Sequence, residues 1–130
     1  MSGVLTVDAS VCVSAFTSSE PAHQAGKAFL RQARQSGALP IQPTLVIVEI
    51  AAAIGRGQGR PNLGYAFAIE VGRLPGLTFV PLDGDLAREA AEIAAAHRLR
   101  GSDAVYAAVA RRFAGALVSL DSEQAQRAGA

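Results

Sequence analysis

The sequence predicts an α/β fold: a three-layer α/β/α sandwich around a central, mainly parallel sheet of four or five strands. Three observations point there. Short apolar, β-branched runs alternate with longer segments of helical periodicity. The runs are apolar throughout rather than polar at every second position, which is the pattern of strands covered on both faces. Finally, 130 residues of which 50% are hydrophobic and 18% charged supply enough apolar surface for one core, so a single domain spanning 1–130 is expected.

Val4-Leu5-Thr6-Val7 is the first buried strand and ends at Asp8. Ala9 to Phe16 reads as a short helix. Ser18-Ser19-Glu20-Pro21 is a helix-start signal. The helix after it places Ala25, Ala28, Phe29 and Ala33 on one face, with Lys27, Arg31 and Arg34 largely elsewhere, and stops at Gly37. Ala38-Leu39-Pro40-Ile41 is a weak strand whose proline favours a sheet edge or a strand end. Leu45 to Ile54 would suit a strand by β-branching, but the alanines that follow and a Thr44 cap favour a helix. Gly55 to Gly59 reads as a glycine-rich loop. Pro61 restarts a helix that carries Ala66, Ile69 and Leu74 and ends near Pro75-Gly76. Leu77 to Leu82 is a strand, and Asp83-Gly84-Asp85 turns the chain into a helix with Leu86, Ala90, Ile93 and Ala94 on one face, running to His97. A further helix spans Ser102 to about Phe113. Gly115 to Leu120 is a last buried strand ending at Asp121, and a short helix follows from Ser122.

The net charge of +1 excludes a strongly cationic coat for nucleic acid. Lys27 is the only lysine among 12 cations; GC-rich coding is the first explanation of that bias, ahead of the match between arginine forks and phosphates. A single cysteine, Cys12, rules out an intrachain disulfide and a cysteine-based zinc site. The N-terminal stretch lacks a basic n-region, and no apolar run is long enough to span a bilayer. A cytoplasmic protein without a membrane segment is expected.

Four acids stand in apolar company: Asp8, Glu49, Asp103 and Asp121. Ligand crevices of open parallel sheets lie beyond the carboxyl ends of the strands. Asp8 and Asp121 end strands, Asp103 opens a helix feeding the last strand, and Glu49 lies in the first turns of a helix after the second. Each aspartate alone could be a helix cap worth about 1 kcal/mol. Glu49 is harder to reduce to a local role, because Val46, Ile47, Val48, Ile50 and Ala53 surround it and a lone buried carboxylate is costly. Two carboxylates about 4 Å apart repel by ~4 kcal/mol at an effective dielectric of about 20, and a divalent cation reverses that term. A cluster of carboxylates without histidine suits Mg²⁺ or Mn²⁺ acting on a phosphodiester.

Val7-Asp8-Ala9-Ser10, Val48-Glu49-Ile50, Ser102-Asp103-Ala104 and Ser119-Leu120-Asp121 together resemble the motifs of PIN-domain ribonucleases, and the plain layout is similar to VapC-type toxins of toxin–antitoxin systems. The resemblance covers nearly the whole chain; only the short Ala38–Ile41 segment departs from it. It implies Mg²⁺- or Mn²⁺-dependent hydrolysis of RNA, with Asp8, Glu49, Asp103 and Asp121 as catalytic and metal-binding acids. It also implies that Ser119 orients water or a carboxylate, that Ser10 assists less directly, and that the products carry 5′-phosphate and 3′-hydroxyl ends. A homodimer and a cognate antitoxin that blocks the site are implied as partners. The alternatives are a housekeeping RNA-processing nuclease of the same family without an antitoxin, a Mg²⁺-binding signalling module and an inactive scaffold. The signalling module is disfavoured because the only lysine, Lys27, is far in sequence from the last strand.

Other features have plainer readings. The Gly55–Gly59 segment lacks a Walker ending and is a helix connection, or else an arginine-bearing loop that touches RNA. Asp83 and Asp85 are turn and cap. Arg111-Arg112 and His97 compensate helix dipoles. His23 has no evident partner, Cys12 is a small buried hydrophobe, and Tyr65, Phe67 and Tyr106 are packing residues.

Overall fold

The protein is described here by a computed structural model covering residues 3–120. The described elements run β1 (Val4–Val7), α1 (Ala9–Phe16), α2 (His23–Gln35), β2 (Leu39–Pro43), α3 (Leu45–Ala52), a π-helical turn (Ala53–Gly57), α4 (Pro61–Gly72), β3 (Thr78–Val80), α5 (Gly84–His97), α6 (Gly101–Arg112) and β4 (Ala116–Val118). Asp121 and the expected C-terminal helix lie outside the described residues. No helix among the described residues is long and apolar enough to cross a membrane.

The four strands form one parallel sheet in the order β3-β2-β1-β4. Side-chain alternation sorts the two faces. Leu5, Val7 and Val118 pack with Val11 of α1 and Ala33 of α2 on one side. Ile41 and Leu117 meet α5 and α6 on the other, where Leu86, Ala90, Ile93 and Val109 form a core. A further core joins Ala9 and Val13 of α1 to Val46, Ile50, Ala68, Val71 and Tyr106. Every residue of α6 from Asp103 to Ala110 is buried, which explains its alanines: a helix enclosed on all sides has little room for larger side chains.

Proline in β2 does not make it an edge. The strand lies between β1 and β3, and the local geometry shows how. The Leu39 N–H points to β1, donating to Gly3 O at 2.8 Å, so position 40 faces the β3 side. There β3 has not begun, because its pairing starts at Ile41↔Thr78. Position 43 faces β1 again, and Pro43 has no N–H to give. The buried Gln42 side chain takes over: its Oε1 accepts from Val7 N at 2.7 Å and its Nε2 donates to Val7 O at 2.5 Å. Thr6 Oγ1 adds a bond to Ile41 O at 2.8 Å. Side chains thus complete the β1–β2 seam that Pro43 interrupts, immediately before Asp8.

Several local expectations need correction. Thr44 is helical in its own backbone and makes no cap; its hydroxyl accepts instead from Leu82 N at 3.4 Å. The glycine-rich segment is not a loop over its first half but a π-helical turn that continues α3. The buried face of α4 is Gly64, Ala68 and Val71, while Ala66 and Leu74 are exposed. On α2, Gly26 and Ala33 are buried, whereas Ala25 and Ala28 face solvent. Among the described strands β4 is an edge, and it is only half-buried. Asp83 does cap α5 as expected, accepting from Leu86 N at 2.9 Å.

Candidate functional site

The ends of β1 and β4, helices α1 and α3 and the N-terminal half of α6 meet around one pocket of about 470 Å³. Asp8, Glu49 and Asp103 all line it, with Ser10, Glu20 and Arg100. Three of the four expected acids, far apart in sequence, are therefore brought together; Asp121 lies outside the described residues.

Asp8 is the N-cap of α1 and only 6% exposed. Its Oδ1 accepts from Ser10 N at 3.0 Å and from the Ser10 hydroxyl, and its Oδ2 accepts from Ser119 Oγ at 2.5 Å. Ser10 Oγ also accepts from Leu120 N at 3.3 Å, tying the end of β4 to the end of β1. Capping and site membership coincide at Asp8. They do not at Asp103: Arg100 occupies the N-cap of α6, and Asp103 sits in the first turn with no capping hydrogen bond. It is 9% exposed, and its Oδ2 accepts from Arg100 Nε at 2.9 Å.

Glu49 is half-buried on α3, and its Oε1 accepts from the Tyr106 hydroxyl at 2.6 Å. Tyr106, 1% exposed, is more than a packing residue. Burial first, then its bond to Glu49, pushes its hydroxyl well above the ordinary tyrosine range and keeps it a donor. The sequence held a signal for this: Arg100, Asp103 and Tyr106 recur every three residues and share one face of α6. Arg100 was not singled out in the sequence, and neither was Glu20. Tyr65, by contrast, is 68% exposed, so the packing role expected for it is wrong; Phe67 does pack, edge-on to Phe16 with ring centroids 5.5 Å apart. His23 has a partner after all, with Nδ1 2.9 Å from Ser14 O. Arg112 reaches across to Glu89 on α5 at 2.8 Å rather than only facing the dipole.

The donor set is carboxylate and hydroxyl oxygen, which suits a hard divalent cation. Among the described residues, no three acidic, histidine or cysteine side chains close tightly enough to enclose an ion unaided. Tyr106 takes Oε1 of Glu49 and Arg100 takes Oδ2 of Asp103. The residues fit an ion that retains much of its water, as Mg²⁺ does.

Cys12 lies behind the site on α1. Burial, and secondarily the charge of Asp8, pushes its thiol from 9.0 up to about 12. A raised folded value leaves its stabilising effect intact below pH ~9 and removes it as the pH climbs towards the folded value. Melting temperature should therefore hold from pH 7 to 8.5 and fall at higher pH, with a smaller fall in Cys12→Val. Native Cys12 should also resist iodoacetamide at pH 8; rapid alkylation there would contradict this account.

The family model of the PIN domain matches residues 5–130. No curated protein matches the chain by sequence. Among solved structures, the chain is similar to Mycobacterium tuberculosis VapC20, described as a sarcin-ricin loop cleaving toxin, with TM-score 0.78, 17% identity and coverage of 94% of this chain and 93% of that one. It is similar to FitAcB from Neisseria gonorrhoeae, with TM-score 0.70, 18% identity and coverage of 96% and 93%. It is also similar to VapBC2 from Rickettsia felis, solved bound to a DNA fragment from their promoter, with TM-score 0.68, 12% identity and coverage of 95% and 92%. At these identities the likeness is one of fold.

Proposed function

The chain belongs to the PIN-domain family, and on that premise we propose that it is a Mg²⁺- or Mn²⁺-dependent endoribonuclease and the toxin of a type II toxin–antitoxin module. The observation that carries the reading is the convergence of Asp8, Glu49 and Asp103, from three separate parts of the chain, on one pocket at the carboxyl edge of the sheet. The toxin assignment, with a cognate antitoxin and a homodimer as partners, rests on the fold shared with VapC20, FitAcB and VapBC2.

A bound divalent cation supplies charge neutralisation for the phosphodiester and acidifies water. Asp8, Glu49 and Asp103 would hold it, with Asp121 as the fourth acid. Ser119 and Ser10 fix both oxygens of Asp8 by donating to them, so that carboxylate is oriented before any ligand arrives. Tyr106 does the same for Oε1 of Glu49, leaving Oε2 to orient the attacking water and receive its proton. The low exposure of Asp8 and Asp103 keeps competing water from both.

The test is cleavage of total RNA by the purified protein. Mn²⁺ should support cleavage, EDTA should stop it, and Asp103→Asn should reduce it strongly. Full activity in EDTA would sink the metal-dependent reading. Toxin status is tested separately: induction should arrest growth, and co-expression of a small protein encoded next to the gene should relieve the arrest.

A further inference from the structure

We propose that Phe16 is a base-stacking platform for single-stranded RNA: a nucleobase close to the cleaved phosphate lies on its ring, and Lys27, Arg56 and Arg60 receive the phosphates beside it. This rests on the reading of the pocket as a nuclease site. The pocket extends along α1, lined by Asp8, Ala9 and Ser10 at the start of the helix and by Val13 and Ser14 one turn on. Ala9, Val13 and Phe16 recur at intervals of four and three residues, so they share one face of α1. Phe16 therefore continues that wall beyond the pocket, about 10 Å along the helix from Ala9. Its ring is held in place: Phe67 of α4 packs against it with centroids 5.5 Å apart and planes at 60°. Yet Phe16 is 59% exposed, so much of it remains open to a ligand.

A lone exposed phenylalanine needs no explanation; the charges around this one indicate its ligand. α2 crosses α1 here so closely that a Cβ at Gly26 would stand 3.2 Å from Ala15 N, and Lys27 follows directly. The second wall of the pocket, Glu49 and Ala53, leads into the π-helical turn, which carries Arg56, with Arg60 just after it at the N-cap of α4. Lys27, Arg56 and Arg60 are exposed, and none of them forms an ion pair among the described residues. Glu20 is the only acid in the connection between α1 and α2. The other end of the pocket holds Asp8, Glu49 and Asp103, which repel a phosphate until a cation is bound, so RNA must gain its hold beyond them. An unpaired nucleic-acid strand offers both a flat apolar surface and repeated anionic groups: its bases stack on aromatic rings while cations track its backbone. A duplex keeps its bases stacked on one another and has none to spare for Phe16. A protein partner seated on Phe16 would have to cover three cations as well as one ring.

The experiment uses the full chain as wild type, Phe16→Ala, Phe16→Trp, Arg56→Gln and, as a charge control on the other face of the sheet, Arg88→Gln. The sequence has no tryptophan, so the indole of Phe16→Trp is the only one present and reports directly on stacking. Binding of a mixed-sequence 20-nucleotide single-stranded RNA, and of the same strand annealed to its complement, is measured in Ca²⁺. The single strand should quench the indole to saturation, and the duplex should not. Phe16→Ala should weaken single-strand binding roughly tenfold, with the slope of log affinity against log salt unchanged. Arg56→Gln should reduce that slope by about 0.7, and Arg88→Gln should alter neither quantity. In Mn²⁺, Phe16→Ala should raise the KM for RNA cleavage roughly tenfold at nearly constant kcat, the mark of binding lost equally from ground and transition states. Phe16→Trp should keep the wild-type KM. An unquenched indole, equal quenching by duplex, or wild-type RNA affinity in Phe16→Ala overturns the platform. A dimer in sedimentation that Phe16→Ala dissociates with RNA affinity unchanged also overturns it, and gives the ring to a second copy of the chain. Wild-type KM in a Phe16→Ala protein that still cleaves RNA overturns the platform alone and leaves the nuclease reading standing. A wild-type protein that cleaves no RNA in Mn²⁺ or Mg²⁺ removes the nuclease reading and the proposal together. Melting temperatures confirm folding, and the quenching test on Phe16→Trp decides the question should Phe16→Ala unfold.

Discussion

Asp8→Asn should lower RNA cleavage by more than about a hundredfold while the protein stays folded. Losing an outer partner of a metal ligand already costs about 10- to 100-fold, and Asp8 is proposed as a ligand itself. Asparagine is nearly isosteric and caps helices as well as aspartate does, so the start of α1 should survive. The bond from Ser10 N to Oδ1 can be kept by the amide oxygen. What is lost is the charge and the second acceptor, the oxygen that receives Ser119 Oγ. Ser119→Ala removes that donor but keeps the carboxylate, and should cost less, within the 10- to 100-fold range. Cleavage rates in Mn²⁺, read beside melting temperatures, check both. Wild-type rates in Asp8→Asn would place the chemistry elsewhere.

Gly64→Ala should destabilise the fold, although the same change in an open helix would stabilise it by about 1 kcal/mol. A Cβ at position 64 would stand 2.7 Å from Gly55 N and 2.8 Å from Ala51 O. Both are backbone atoms, so the clash can be relieved only by separating α4 from the π-helical turn and α3. Overpacking of this kind costs about 1–3 kcal/mol. The net lowering of the melting temperature should be about 3–10 °C in a domain of this size. Gly72→Ala is the matched control: its Cβ would meet only the tip of Ile47, with Cδ1 at 3.1 Å, which can rotate away. If Gly64→Ala melts no lower than Gly72→Ala, the close helix crossing is not a constraint. The site has a stake in the outcome, because Glu49 and Ala53 reach the pocket from this same α3 and π-helical segment.

The parts of the fold that rest on periodicity could be read from the sequence. β1, α1, α5 and α6 follow from apolar runs and an Asp83 cap. What was not legible depended on tertiary neighbours. Pro40 looked like an edge residue, since nothing local reveals that β3 begins one residue later or that Gln42 replaces the missing donor of Pro43. The glycine-rich segment looked like a loop, since the close approach of Gly55 to Gly64 of α4 is invisible from composition. At the site, Asp8, Glu49 and Asp103 could be singled out because charge in apolar company is costly. Their order along the chain put Asp8 at a strand end, Glu49 in the first turns of a helix and Asp103 at a helix start, the right edge of a parallel sheet. Tyr106 was read as packing because its buried ring and its polar tip give opposite signals. Only the three-residue step from Asp103 showed that the tip shares the acid's face.

The central claim is that Asp8, Glu49 and Asp103 form one divalent-cation site. Anomalous diffraction from crystals grown in Mn²⁺ tests it most directly. The account predicts a manganese peak in this pocket, within about 2.0–2.5 Å of carboxylate oxygen or one water further out. A well-diffracting crystal with no anomalous peak in the pocket, or with manganese bound only elsewhere on the surface, would contradict it.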